Sequence, residues 1–265
     1  MSQFAAAFIF VLLINPASVT AEEKEGNRLR TFASSELIQS PDFLFGQPSH
    51  SLGIRFQWVR PQAESDIFSF VTEELTLSKS DFDLVGLSAD MSFPLTSRLD
   101  TLAGFEFART SSFSEHRNLV EIVGGETIPI RQENTLTILN LLGSLEFAIT
   151  PRGREIGQYS WITSRVTPYV GIGGGLMWYR FAQEGDFVDN LDNSLPIFTA
   201  LLSSDGWTLS YQSFAGIDVS VARKLQLTGE IRYLWASAPL SKDYVGFEPI
   251  DLSGFRVSAG FQIFL

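Results

Sequence analysis

From residue 51 onward, apolar and polar residues alternate in blocks, the period-2 signature of strands with one apolar face. The first block sets Leu52, Ile54, Phe56 and Trp58 against Gly53, Arg55 and Gln57. The second sets Val85, Leu87, Ala89, Met91 and Phe93 against Gly86, Ser88, Asp90 and Ser92. In the third, Thr101, Ala103, Phe105 and Phe107 oppose Gly104, Glu106 and Ala108. In the fourth, Leu139, Leu141, Leu145 and Phe147 oppose Asn140, Leu142, Ser144 and Glu146. The fifth, PYVGIGGGLMWYRF from Pro168, is assigned Val170, Ile172, Leu176 and Trp178 as its apolar face, with Gly171, Gly173 and Gly175 opposite. The sixth alternates Leu209, Tyr211, Ala215, Ile217, Val219 and Val221 with Ser210, Gln212, Gly216, Asp218 and Ser220. The seventh sets Leu225, Leu227, Ile231, Tyr233 and Trp235 against Gln226, Thr228, Glu230 and Arg232. The eighth alternates Phe255, Val257, Ala259, Phe261, Ile263 and Leu265 with Arg256, Ser258, Gly260 and Gln262. Each block is near the ~9–11 residues that a tilted membrane strand needs.

Alternation alone fits a soluble sandwich or barrel with an apolar core, or a membrane barrel with an apolar exterior. The polar faces decide between them. They carry small residues and opposite charges, not the dense charge of a water-facing surface. Trp58, Trp178, Trp207 and Trp235 fall at the same end of their strands if the chain runs up and down, as in an interfacial aromatic girdle. Charged residues make up 18% of the 265-residue chain, below the roughly 25% of soluble globular chains. The predicted fold is all-β: an eight-stranded antiparallel up-and-down transmembrane β-barrel with long extracellular loops.

The connections give the orientation. Residues 94–98 and 222–224 are tight turns, while 61–83, 110–134, 180–207 and 236–253 are long and polar, as periplasmic turns and extracellular loops should be. The 148–168 connection breaks the rule, being long on the turn side. Within the first loop, IFSFVTEELTL (67–77) fits a strand extension, a short amphipathic helix or a ninth strand. Even strand numbers in bacterial single-chain barrels favour eight.

The N-terminus reads as an export signal. The apolar run Phe4–Ile14 is too short to span a bilayer. A break at Asn15-Pro16 and an A-x-A-like site at Val19-Thr20-Ala21 follow it, the layout of a secretory signal peptide. The predicted organisation is a signal peptide over 1–21, a periplasmic N-terminal extension over 22–50 and a barrel over 51–265.

The formal charge of −11 and the absence of a basic cluster argue against nucleic-acid binding. The absence of cysteine removes disulfides, thiol catalysis, Cys-ligated metals and a lipobox-type lipid anchor. The inward-facing charges are the most informative set: Arg55, Arg232 and Arg256 against Asp90, Glu106, Glu146, Asp218 and Glu230. An eight-stranded barrel is just wide enough for side chains to fill it. Buried charges must be paired, so these eight residues are read as a packed polar network, with a water-filled pore as the alternative.

Other candidate chemistry is sparse. Gly171-Ile172-Gly173-Gly174-Gly175 lacks the following helix that a dinucleotide site needs and fits close backbone approach instead. Ser112, Ser114, Glu115 and His116 supply the atoms of a hydrolytic triad, but all within five residues of one loop. His50 is the second of only two histidines, so a His-rich metal site is not expected. Asp186, Asp189 and Asp192 lack the glycine and final Glu of a calcium loop. No catalytic residue, cofactor or metal is assigned.

The terminal FRVSAGFQIFL resembles the last strand of bacterial outer-membrane β-barrel proteins, although it ends in Phe264-Leu265 and not in an aromatic. PYVGIGGGLMWYRF and the layout over 51–265 are similar to the small eight-stranded barrels, the OmpX-like proteins and the OmpA transmembrane domain. The resemblance implies a bacterial outer-membrane location, outer-membrane lipid and the barrel-assembly machinery as partners, and a structural or surface-interaction role without catalysis. Three functions follow in order: a non-enzymatic barrel with a closed polar core, acting structurally or through its loops; a narrow porin-like channel for small solutes; and a lipid-modifying enzyme.

Overall fold

The computed structural model describes residues 44–123, 125–156, 160–188 and 196–265. The proposed signal peptide and residues 22–43 of the proposed extension lie outside the described residues, as do Asp189 and Asp192.

Eight strands form the barrel: β1 (Ser51–Pro61), β2 (Leu84–Pro94), β3 (Leu99–Val123), β4 (Glu126–Ala148), β5 (Val166–Val188), β6 (Ile197–Ala222), β7 (Leu225–Ala238) and β8 (Gly254–Phe264). Each pairs antiparallel with its sequence neighbour, and β8 pairs with β1 to close the ring. The register fixes the stagger. Partners followed from Ser51 run through Ser92, Leu102, Ser144, Gly173, Gln212, Leu234 and Gly254 and return to β1 at Pro61. That is ten residues up the same strand. A ring of eight with such a stagger has steeply tilted strands and a bore that side chains can fill.

Two of the expected loops are strand. The sequence assigns 110–134 and 180–207 to extracellular loops, whereas β3 and β4 continue to Val123 and from Glu126, and β5 and β6 to Val188 and from Ile197. These four strands run 23 to 26 residues, against the ~9–11 a membrane crossing takes, so roughly a dozen residues of each project beyond the bilayer. Alternation fades there because water meets part of both faces. A register shift between Glu115 and Val120 also breaks its phase.

The first loop holds a helix, α1 (Asp66–Glu74). Ile67, Phe68 and Val71 share one face and are buried. The N-cap residue, Ser65, makes no side-chain cap bond to the helix. Its hydroxyl instead accepts the N–H of Asp251 at 3.2 Å, and Asp66 accepts that of Glu248 at 3.1 Å. The first and last loops are thus latched together over the outer mouth.

The irregular 148–168 connection folds back on the inner mouth. Gly153–Glu155 and Ser160–Thr163 form a short hairpin. Leu44 and Phe45 add to it opposite Trp161 and Ser160. Trp161 packs edge-on against Phe264, with ring centroids 5.9 Å apart.

Candidate functional site

The even or odd parity of each strand sends one set of side chains inward. Near the inner mouth, Arg152 is the hub. Its Nε lies 3.0 Å from Asp100 and its Nη1 3.3 Å from Asp218, and its Nη2 pairs with Glu146. Thr228 donates to Asp218 at 2.8 Å. Arg152 sits on the turn-side connection, so strand alternation gave no indication of where it points.

The next tier is built on Glu106. Both Arg232 and Arg256 pair with it, one on each oxygen, and Asn140 donates to it at 3.1 Å. Arg232 also grips Glu230 at 2.6 Å and donates to Gln212 at 2.9 Å. Its guanidinium lies over the ring of Phe214, 5.1 Å from the centroid. Tyr169 donates to the other oxygen of Glu230 at 3.1 Å. Arg55 makes a two-pronged contact with Asp90, at 2.6 and 3.2 Å. Of the residues read from the sequence as an interior network, Glu106, Glu230, Arg232 and Arg256 meet in one cluster. Arg55 and Asp90 form a separate pair, and Glu146 and Asp218 belong to the Arg152 tier. Asp100 and Arg152 are additions that the strand pattern did not supply.

Small residues make room for this filling. A Cβ on Gly171 would run into the ring of Phe214, and one on Gly216 into that of Tyr169. The glycine run serves close packing across the bore, not a phosphate.

Toward the outer mouth the filling becomes apolar. Phe68 of α1 meets Phe82 at 4.8 Å and Phe181 at 6.3 Å, both edge to face. Leu84, Leu136, Ile138, Met177 and Leu234 complete a buried cluster beneath the helix. Burying side chains of this size contributes about 1.5–3 kcal/mol each. Tyr244, also in this cluster, has its phenol pushed up by burial and by neighbouring Asp243.

The outer wall has the opposite character. Phe56, Leu87, Phe105, Leu141, Ile172, Ile217, Ile231 and Val257 all point outward and are exposed. Such a belt around a charged interior is the reverse of a water-soluble core. The chain is a membrane-spanning β-barrel. Trp58, Trp207 and Trp235 are exposed on its outer face and Trp178 is half-buried. Trp178 stands opposite Trp207 across β5 and β6, and Trp235 opposite Tyr211 across β6 and β7.

No family model matches the chain, and no curated protein matches it in sequence. Among solved structures it is similar to Neisserial surface protein A, at 10% identity over 83% of this chain and 99% of that one, TM-score 0.45. It is similar to the outer membrane protein OprG from Pseudomonas aeruginosa, at 15% identity over 83% and 98%, TM-score 0.41. It is also similar to Ail, the attachment invasion locus protein of Yersinia pestis, at 13% identity over 83% and 100%, TM-score 0.41. At this level the likeness does not extend to what those proteins do.

The hydrolytic candidates do not converge. Ser112 donates to the carbonyl of Asp81, and Ser114 lies inside the wall, bonded to Gln132 and Asn134. Glu115 pairs outward with Arg131. His116 uses Nε2 toward Glu74 at 3.3 Å and Nδ1 toward the N–H groups of Asn118 and Leu119. His50, with Ser49, lies beside the start of β1 at the opposite end of the barrel. Asp186 accepts from Thr199 at 2.7 Å. Among the described residues, no group of three acidic, histidine or cysteine side chains is placed to hold a metal.

Proposed function

We propose that this is a non-enzymatic outer-membrane barrel with a closed core, acting at the cell surface and not by passing solute. What supports this reading is the stacking of two arginine–carboxylate tiers and an apolar cluster along the bore. Beside Arg55, Glu106 and Arg232 the interior space is about 20 Å³, and a second space of about 20 Å³ lies beside Ser92, Asp100 and Arg152 at the inner mouth. Each is room for about one water molecule. A conducting pore needs a continuous wet path.

What remains available is the outer surface. The projecting parts of β3–β6 form a four-stranded sheet above the bilayer, and Phe113 and Ile122 are exposed on it. Its β6 margin is open. Pairing with β7 ends at Ser210, opposite Ala236, and Asp243 caps the N–H of Ser203. Among the described residues no strand pairs with Ile197–Leu202 on that side. An uncharged apolar edge of this kind is a template for strand addition by an extended segment of another polypeptide. Two copies in one membrane are related by an axis along the bilayer normal, which leaves their β6 strands running the same way. An antiparallel edge-to-edge ladder between them is therefore disfavoured.

The natural absence of cysteine makes the test clean. Single cysteines at Phe113 and Thr199 should react with a membrane-impermeant maleimide on intact cells. A cysteine at Thr96 should react only after the membrane is opened. Labelling of Thr96→Cys from outside, with Thr199→Cys protected, would overturn the surface reading.

A further inference from the structure

Outside the membrane, between α1, the inner faces of the projecting strands and the last loop, lies a cavity of about 240 Å³. Closing the barrel does not require it. Its apolar walls come from Phe70 and Val71 of α1, Phe187 of β5, Leu202 of β6 and Phe247 of the last loop.

Among the described residues of the lining, its carboxylates, Glu74 and Asp243, have no lysine or arginine beside them. Tyr244 donates to Gln183 at 2.7 Å, and Gln183 donates to Asn134 at 2.6 Å. Gln132, 6% exposed, donates its amide to the carbonyl of Asp186 at 2.9 Å. The Nε2 of His116 is taken by Glu74. The Tyr244 hydroxyl, the His116 Nε2 and one N–H of each glutamine amide are therefore already committed. The free acceptors among the described residues are Oε1 of Gln132, the second oxygen of Glu74, and Oδ1 of Asp243, whose Oδ2 accepts the N–H of Ser203. All three are acceptors, and two belong to carboxylates. The cations next in sequence to lining residues are committed elsewhere: Lys242 to Asp205, and Arg117 to the carbonyls of Thr72 and Leu77.

We propose that this cavity binds a small organic cation with an apolar body, its ammonium group toward Glu74 and Asp243 and its hydrocarbon end among Phe70, Phe187 and Phe247. Phenyl faces attract a cation as well as an alkyl or aryl group. The volume is below the roughly 300–1,000 Å³ of drug-sized pockets, which suits a molecule of arylethylamine size. The site stands beyond the filled bore, so the ligand is held at the surface and not conveyed.

The test is isothermal titration of the full chain in lipid nanodiscs with 2-phenylethylammonium, and with 3-phenylpropionate as an anion of matched size. The cation should bind saturably at one per barrel and the anion should not. Glu74→Gln with Asp243→Asn should weaken the cation about tenfold or more, the factor expected for losing about 1.4 kcal/mol. Leu202→Trp, which fills the cavity, should abolish binding. Unchanged melting of each variant shows that it has folded; if one does not fold, the cation-to-anion comparison on the unmodified protein decides. Equal binding of cation and anion, no saturable binding at millimolar cation, or affinity untouched in both folded variants would overturn the proposal.

Discussion

Glu106 is the residue on which the proposed closed core depends most. Its two oxygens each meet a guanidinium, Arg232 and Arg256, and it also accepts from Asn140. It is 3% exposed. Replacing it with alanine leaves two buried cations facing each other across a gap. Arg232 keeps Glu230 and Gln212. Arg256 keeps no other side-chain partner among the described residues, and its Nε and Nη2 already lack one. The cost is therefore set mainly by Arg256. Breaking a buried pair by removing one partner costs ~3–5 kcal/mol. With a urea slope of ~2 kcal/mol per molar, typical of small proteins, the unfolding midpoint should fall by ~1.5–2.5 M. The assay is reversible urea unfolding in detergent micelles, followed by tryptophan fluorescence. Removing both charges, as in Glu106→Gln with Arg256→Met, should recover most of the loss, because the uncompensated cation is gone. If Glu106→Ala stays within ~1 kcal/mol of the unmodified protein, the usual scale for groups that water reaches, its partners are hydrated and the packed-core argument is wrong.

Three further outcomes follow from the same geometry. Arginine at Leu141, Ile217 or Ile231, on the lipid face, should cost ~2–4 kcal/mol, while the same change at exposed Val245 in the last loop should cost little; the same urea titration measures both, and equal tolerance would point to a soluble barrel. Arg152→Ala should release the inner hairpin, leaving Asp100, Glu146 and Asp218 without their shared cation, so limited proteolysis from the periplasmic side should cut within 153–163 much faster than in the unmodified protein. Phe68→Ala should cost ~3–5 kcal/mol by cavity formation under α1, read as a lowered midpoint with the barrel's strand content unchanged by circular dichroism.

Much of the wall was legible in the sequence because a strand has a period of two and a barrel has two unlike sides. Leu209 to Val221 and Phe255 to Leu265 announce their faces residue by residue. The upper parts of β3 to β6 were read as loops because segments such as SSFSEHRNLV (111–120) lose their alternation where lipid no longer dictates one face. Helix α1 was one of three options for IFSFVTEELTL, since a two-turn amphipathic segment fits either period. The interior was only partly legible. Parity fixes which strand residues point inward, but not which of them meet, because partners such as Glu106 and Arg256 are 150 positions apart in sequence. Arg152 lies on an irregular connection, where no period gives a direction. Counting charges would not have found it either: three inward arginines stand against five inward carboxylates, and Arg152 arrives with Asp100, which leaves the same excess of two carboxylates.

The most direct test of the closed-core account is single-channel recording from the refolded, unmodified protein in planar bilayers. The account predicts silence at either voltage sign, because arginine–carboxylate clusters and the packed phenyl rings under α1 interrupt any continuous water path. Steady currents whose ion selectivity shifts toward cations when Arg256 is replaced by alanine would mean that a wet pore runs past these groups, and would contradict it.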